Sequence, residues 1–280
     1  MDLKTILVHL DHTDRCSARV AVAVDIARAH GSHLIALLPT GLYEGVIPAD
    51  AIPTGATDFI AESADYLHRR AEEISVRFRA QVDGAGALSH EIRLVDGTAV
   101  DAIVKHGRSS DLIVLGQEDA STKSDTPTPG LVPQVLLRAG RPVLLVPFAG
   151  SFEAPAKNAL VAWDGSRASA VAMRAALPLL ATASRVTLVS CRSHGEPKDP
   201  AQLLVGEMVR WLQRHGIRAT AEQDVTEIDV ADALLSRASD LGADLLVMGG
   251  YGHSRLRELV LGGVTRQILA QMTLQVLMAH

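Results

Sequence analysis

Asp244-Leu-Leu-Val-Met-Gly249 follows a helix-patterned run, Val230 to Leu241, and a single glycine, Gly242. An earlier stretch has the same plan: a helical pattern from about Thr98 to His106, then Gly107, then Asp111-Leu-Ile-Val-Leu-Gly116. Four apolar residues in a row, with no polar alternation, indicate a strand covered on both faces, as in parallel sheets. Gly107 and Gly242 sit where a helix end favours a residue tolerant of positive φ. A unit that recurs with this fidelity means that the chain is built from two copies of one plan.

The copies extend in both directions from these strands. The first opens with Thr5-Ile-Leu-Val-His-Leu-Asp11 and the second with Ala159-Leu-Val-Ala-Trp-Asp164. Each opening leads into a helix and then a second apolar strand, His33 to Leu38 and Val186 to Ser190. Each copy closes with a helix and a last strand, Val143 to Val146 and Gln275 to Met278. Strands alternating with helices imply right-handed parallel crossovers. The expected fold is therefore α/β, two tandem Rossmann-like doubly wound domains of about five strands each. The small, Pro- and Gly-containing segment Phe148 to Ala156 reads as the linker, which puts the domains at 1–149 and 150–280.

Composition narrows the function. At 280 residues and 48% apolar content the chain can fill two cores. A net charge of −5 with no basic run gives no footprint for nucleic acid or an anionic membrane. One cysteine per half, Cys16 and Cys191, argues against a disulfide framework and for a reducing, cytoplasmic setting. The opening residues enter a strand pattern at once, so no targeting or membrane-spanning segment is expected.

The chemistry concentrates after the strand Leu245 to Met248, in Gly249-Gly-Tyr-Gly252-His-Ser-Arg-Leu-Arg-Glu-Leu-Val-Leu-Gly262-Gly263-Val-Thr265. Glycines here let backbone N–H groups approach an anion unobstructed. Gly262 and Gly263 begin the final helix, about Val264 to Gln271, whose N-terminal amides and dipole suit a phosphate. The spacing Gly249-x2-Gly252-x9-Gly262 resembles the nucleotide loop of ATP-binding universal stress proteins. The likeness takes in both strand-Asp openings and both helix-Gly-Asp-strand-Gly signatures, so nearly the whole chain is similar to a tandem member of that family.

That resemblance implies a stress-response protein that binds an adenine nucleotide, ATP foremost, in its second half, with Mg2+ left open. It carries the base and ribose pocket onto Ala162, Trp163, Asp164 and Val189. It carries the remaining contacts onto Met248, Gly249, Gly252, Gly262, Gly263 and Val264, with His253, Ser254 and Thr265 nearby. The family pattern has Ser or Thr where this chain has Gly263, a loss of one donor worth about 1.5–3 kcal/mol to a phosphate. Ser254, Thr265, His253 or Arg255 is expected to compensate. The family's last strands pair across a dimer, which here implies an intramolecular pseudo-dimer; a further homodimer stays open. The expected role is a regulator or interaction module rather than an enzyme, because no Walker-type lysine accompanies the loop. Weak ATP hydrolysis and a ligand-free interaction protein are the alternatives.

The matching stretch of the first half, Gly116 to Gly130, lacks the second and third glycines and places Glu118 and Asp119 where an anion would come, with Pro127 and Pro129 removing amide donors. The first half is expected not to bind ATP, although Asp11 still borders a strand-end pocket. Other groupings read as structural. His9 and His12 flank a strand end in diverging directions, so a metal is not expected. Cys191 and His194 have no identifiable orienting carboxylate. Asp111 and Asp244 are expected to satisfy local backbone donors, and Ser166 to cap a helix. Pro178 should kink or end that helix. The charged helix Asp58 to Gln81 presents a solvated face, and the Gly- and Pro-rich residues from Pro39 to Thr57 suggest an apolar lid or partner surface.

Overall fold

The computed structural model describes residues 2–41, 56–118, 130–193, 204–251 and 262–280, with residues 56–64 and 193 as backbone only. The first half runs β1 (Thr5–His9), α1 (Cys16–His30), β2 (His33–Pro39), α2 (Ala56–Gly84), β3 (His90–Val95), α3 (Ala99–Gly107), β4 (Leu112–Gly116), α4 (Leu131–Arg138) and β5 (Val143–Val146). The second runs β6 (Asn158–Ala162), α5 (Arg167–Leu180), β7 (Arg185–Ser193), α6 (Val205–Arg214), β8 (Ala219–Thr226), α7 (Val230–Asp240), β9 (Leu245–Gly249), α8 (Gly263–Gln271) and β10 (Gln275–Ala279).

The strands form one ten-stranded sheet in the order β3-β2-β1-β4-β5-β10-β9-β6-β7-β8. Each half keeps its own parallel order, and the halves meet where β5 and β10 pair antiparallel, Leu145 opposite Val276 and Val143 opposite Met278. The expected intramolecular pairing of the last strands is present. Side chains alternate between two cores because strand residues point to opposite faces. One core lies under α1, α2, α5 and α6, with Ile6, Val8, Phe78, Ala172 and Leu212. The other lies under α3, α4, α7 and α8, with Leu7, Ile103, Val135, Leu234 and Ile268. Both cores draw residues from both halves, so each runs continuously across the seam.

The strand order reverses between β1 and β4, and again between β6 and β9. Crevices at such switch points are where open α/β sheets bind ligands. Two aspartates set these central strands. Asp111 accepts from the Lys4 and Thr5 amides at 2.8 and 2.9 Å, and Asp244 accepts from Ala156, Lys157 and Asn158 at 3.0, 2.9 and 3.2 Å. The donors are far away in sequence, at the start of the neighbouring strand, so the aspartates pin strand to strand rather than closing a local turn.

Gly242 has φ +57, as a helix-terminating glycine should. Gly107 does not belong with it: it ends α3 without positive φ, and a Cβ there would lie 2.5 Å from Ile113 Cδ1. Close packing of α3 on β4 is its reason. Ser166 caps α5 by accepting from the Ser169 amide at 3.1 Å. That helix continues through Pro178 to Leu180. Helix α2 buries Ala71, Ile74, Phe78 and Val82 and leaves Asp65, Arg69, Glu72, Glu73, Arg77 and Arg79 exposed. Most of the stretch from Pro39 to Thr57 lies outside the described residues.

Candidate functional site

In the second half the crevice is bordered by the ends of β6 and β9 and the start of α8. The Ala162 and Val189 positions are register partners on β6 and β7. Val189 and Met248 belong to the core on the α7 and α8 side, with Ala162 and Val264 packed at its edge. Trp163 turns the other way, into the core beneath α5 and α6, where it is 6% exposed. The structure thus gathers Ala162, Val189, Met248 and Val264 on one face and separates Trp163 from them. Asp164 accepts from the Ser166 amide at 2.9 Å, a turn that starts α5.

Gly249 is required by space. A Cβ there would come within 2.5 Å of the Ser169 nitrogen and 2.7 Å of the Ala168 carbonyl carbon, so only glycine lets α5 begin against the end of β9. Next in the chain, Gly250 donates to the Ala279 carbonyl at 2.9 Å. Tyr251 holds φ +67, and its amide donates to Thr265 Oγ1 at 3.4 Å. That bond ties the strand end to the first turn of α8. It also uses the hydroxyl of Thr265, which is buried. Gly262 is the residue before α8 and Gly263 its first helical residue, both exposed. Gly252, His253 and Ser254 lie outside the described residues.

The first half is built differently at the same places. The Glu118 carboxylate accepts from the Gly130 amide at 3.1 Å and the Val132 amide at 3.0 Å. These amides open α4, the helix that matches α8. A side-chain carboxylate therefore occupies the helix N-terminus, where the dipole and free N–H groups favour an anion. The sequence reading had Glu118 as a repelling charge; it is also a hydrogen-bonded occupant.

Beside it lies a cleft of about 400 Å³ lined by His9, Asp11, His12, Arg15, Gln117 and Glu118 among others. Asp11 borders it as expected. The wall contains a buried ion pair: Arg19 Nη2 is 2.8 Å from Asp11 Oδ2, and Arg19 Nε donates to the His9 carbonyl at 2.7 Å. Gly116 makes room, because a Cβ at that position would overlap Arg19 Nη1. Burial alone would raise the Asp11 pKa, but the Arg19 charge, His9 and the Thr13 hydroxyl overcome it and hold the carboxyl well below the usual range. Burial also lowers His9, to about 4, against a smaller raising effect of Asp11. Among the described residues no group of three His, Cys, Asp or Glu is placed to hold a metal ion.

The buried histidine gives a pH prediction. With a folded pKa of about 4 against 6.5 for the free side chain, the unfolded chain takes up the proton first. Stability is full above pH 6.5 and falls as pH drops toward 4, by about 3 kcal/mol for this group. Urea unfolding between pH 7 and 4.5 should show a flatter decline for His9→Asn than for the wild type. Parallel curves would contradict the assignment.

Arg19, Gln117 and Tyr251 were missed as site components, and Glu118 was read as a repelling charge but not as a cap. Superposing the two openings at Asp11 and Asp164 sets Arg19 against Ala172, and that charged residue in an apolar helical position was the available signal. Glu118 as a cap and Gln117 as a contact had none, since their partners are distant in sequence.

The family model of the universal stress protein family matches residues 155–280. The universal stress protein Slr1230 of Synechocystis is 25% identical, over 98% of this chain and 99% of that protein. The second half of this chain therefore carries a domain that matches the universal stress protein family. A universal stress protein from Archaeoglobus fulgidus shares the fold along both halves, with a TM-score of 0.76, 17% identity, and coverage of 99% of this chain and 96% of that one. A universal stress protein solved in complex with cAMP aligns with 52% of this chain and 98% of its own, at 25% identity and a TM-score of 0.38. The tandem arrangement read from the repeats agrees with the full-length universal stress protein matches. No helix among the described residues is long and apolar enough to cross a membrane.

Proposed function

We propose that this protein binds one adenine nucleotide per chain, ATP foremost, in its second half, and uses it to regulate interactions rather than to drive catalysis. The observation that carries this reading is the contrast between the two matching helix starts. In the first half Glu118 accepts from the amides of Gly130 and Val132, whereas the second half presents exposed Gly262 and Gly263 at the start of α8. The glycine spacing around Gly252 and the switch-point position support the same site. The division of the chain falls near Gly150, giving domains at 1–149 and 150–280, and two cysteines outside any disulfide suit the cytoplasm. A regulatory role fits a loop without a Walker-type lysine; any hydrolysis would be slow.

Calorimetry with ATP tests the reading. The expected result is binding at one site per chain. Gly262→Val should abolish it while leaving the melting temperature unchanged, because the nearest atom to a Cβ there is Thr265 Oγ1 at 3.9 Å. Gly263→Ser, at a position with open space, should restore the hydroxyl and tighten binding about tenfold. Absence of heat with wild-type protein and millimolar ATP would end the proposal in favour of a ligand-free interaction protein.

A further inference from the structure

Helix α8 is weakly anchored by its own side chains: of its nine residues only Thr265 and Ile268 are buried. Its far end is held by the other half of the molecule. Gln117, 8% exposed and directly after β4, donates Nε2 to the Leu269 carbonyl at 3.0 Å and the Ala270 carbonyl at 3.3 Å. Its Oε1 accepts from the Phe148 amide at 3.1 Å, just beyond β5. One buried amide therefore joins the exit of the first half's last strand to the terminal carbonyls of α8, groups that the helix itself leaves unpaired.

The pseudo-symmetric position is built the opposite way. Strand register sets Gln117 against Gly250, and Leu136 of α4 against Leu269 of α8. At Gly250 a Cβ would lie 2.6 Å from Leu136 Cδ2, so the glycine receives an apolar side chain. The seam has a polar clasp on α8 and an apolar contact on α4. A rigid helix transmits the position of its C-terminal turn to its N-terminal turn, here about 10 Å away at 1.5 Å per residue.

We propose that Gln117 is a positioning residue for the second half's anion site: it clamps the end of α8 and thereby fixes where the Gly262 and Gly263 amides stand. The first half is then a working part of the second half's site. The clamp is observed independently of any ligand, while its effect on nucleotide rests on the function proposed above.

The test uses the full-length chain with Gln117→Glu, which keeps an acceptor for Phe148 but loses both donors to α8, and with Gln117→Leu, which loses both functions. Amide exchange at Arg266 and Met272, bonded to Gly262 and Ile268, should speed up in both variants. ATP affinity should fall about three- to tenfold, while adenosine, which has no phosphate, should bind as to wild type. Equal losses for ATP and adenosine, or unchanged ATP affinity, would overturn the proposal. If the wild type binds no ATP, the nucleotide reading fails by itself, and exchange decides the clamp: faster exchange supports it and unchanged exchange overturns it.

Discussion

Arg19→Ala is expected to cost about 3–5 kcal/mol of folding stability, the range for removing one partner of a buried ion pair. Arg19 is 3% exposed, and its guanidinium supplies the charge 2.8 Å from Asp11 together with the bond to the His9 carbonyl. Without it, the half-buried Asp11 carboxylate keeps the Thr13 hydroxyl but loses its cation, and the space left by the missing side chain at Gly116 becomes a void. Leaving an uncompensated charge costs far more than the pair contributes, so the double variant Asp11→Asn with Arg19→Met should regain much of the loss. Urea unfolding of the two singles and the double checks this. A loss below about 1 kcal/mol, typical of an exposed pair, would show that the wall is solvated.

Gly249→Ala is expected to destabilise by about 1–3 kcal/mol or more, the cost of overpacking a filled interior. The atoms in the way are the Ser169 nitrogen and the Ala168 carbonyl carbon, backbone of the first turn of α5 that cannot rotate aside as a side chain can. Relief requires moving the start of α5, and with it the Asp164 turn, away from β9. Gly263→Ala is the control, since a Cβ there meets nothing within 4 Å. Thermal unfolding should separate the two variants clearly; equal melting temperatures would contradict the packing argument.

Much of this architecture was legible in the sequence because it rests on local pattern. Leu112 to Leu115 and Leu245 to Met248 are unbroken apolar runs, and they are buried central strands. The repeated signatures located matching strands in both halves, and Ser166 announced its cap. What escaped depends on partners distant in sequence. Gly107 and Gly242 look alike as residues, yet one serves packing against Ile113 and the other a left-handed turn. Trp163 sits beside Ala162 in the chain and faces the opposite core, because alternation assigns the face. Charge sign alone made Glu118 repulsive; only the folded geometry brings its carboxylate onto the Gly130 and Val132 amides.

On the proposed function the second half takes an anionic nucleotide, and the first half is closed to it by its own Glu118 carboxylate. Titration of isotope-labelled full-length protein with ATP, followed by backbone amide chemical shifts, tests it most directly. Saturable shifts are expected at Gly249, Gly262 and Gly263, with Gly130 and Val132 unmoved. Shifts at Gly130 and Val132 on the same isotherm, or no shifts at the second half's glycines, would contradict it.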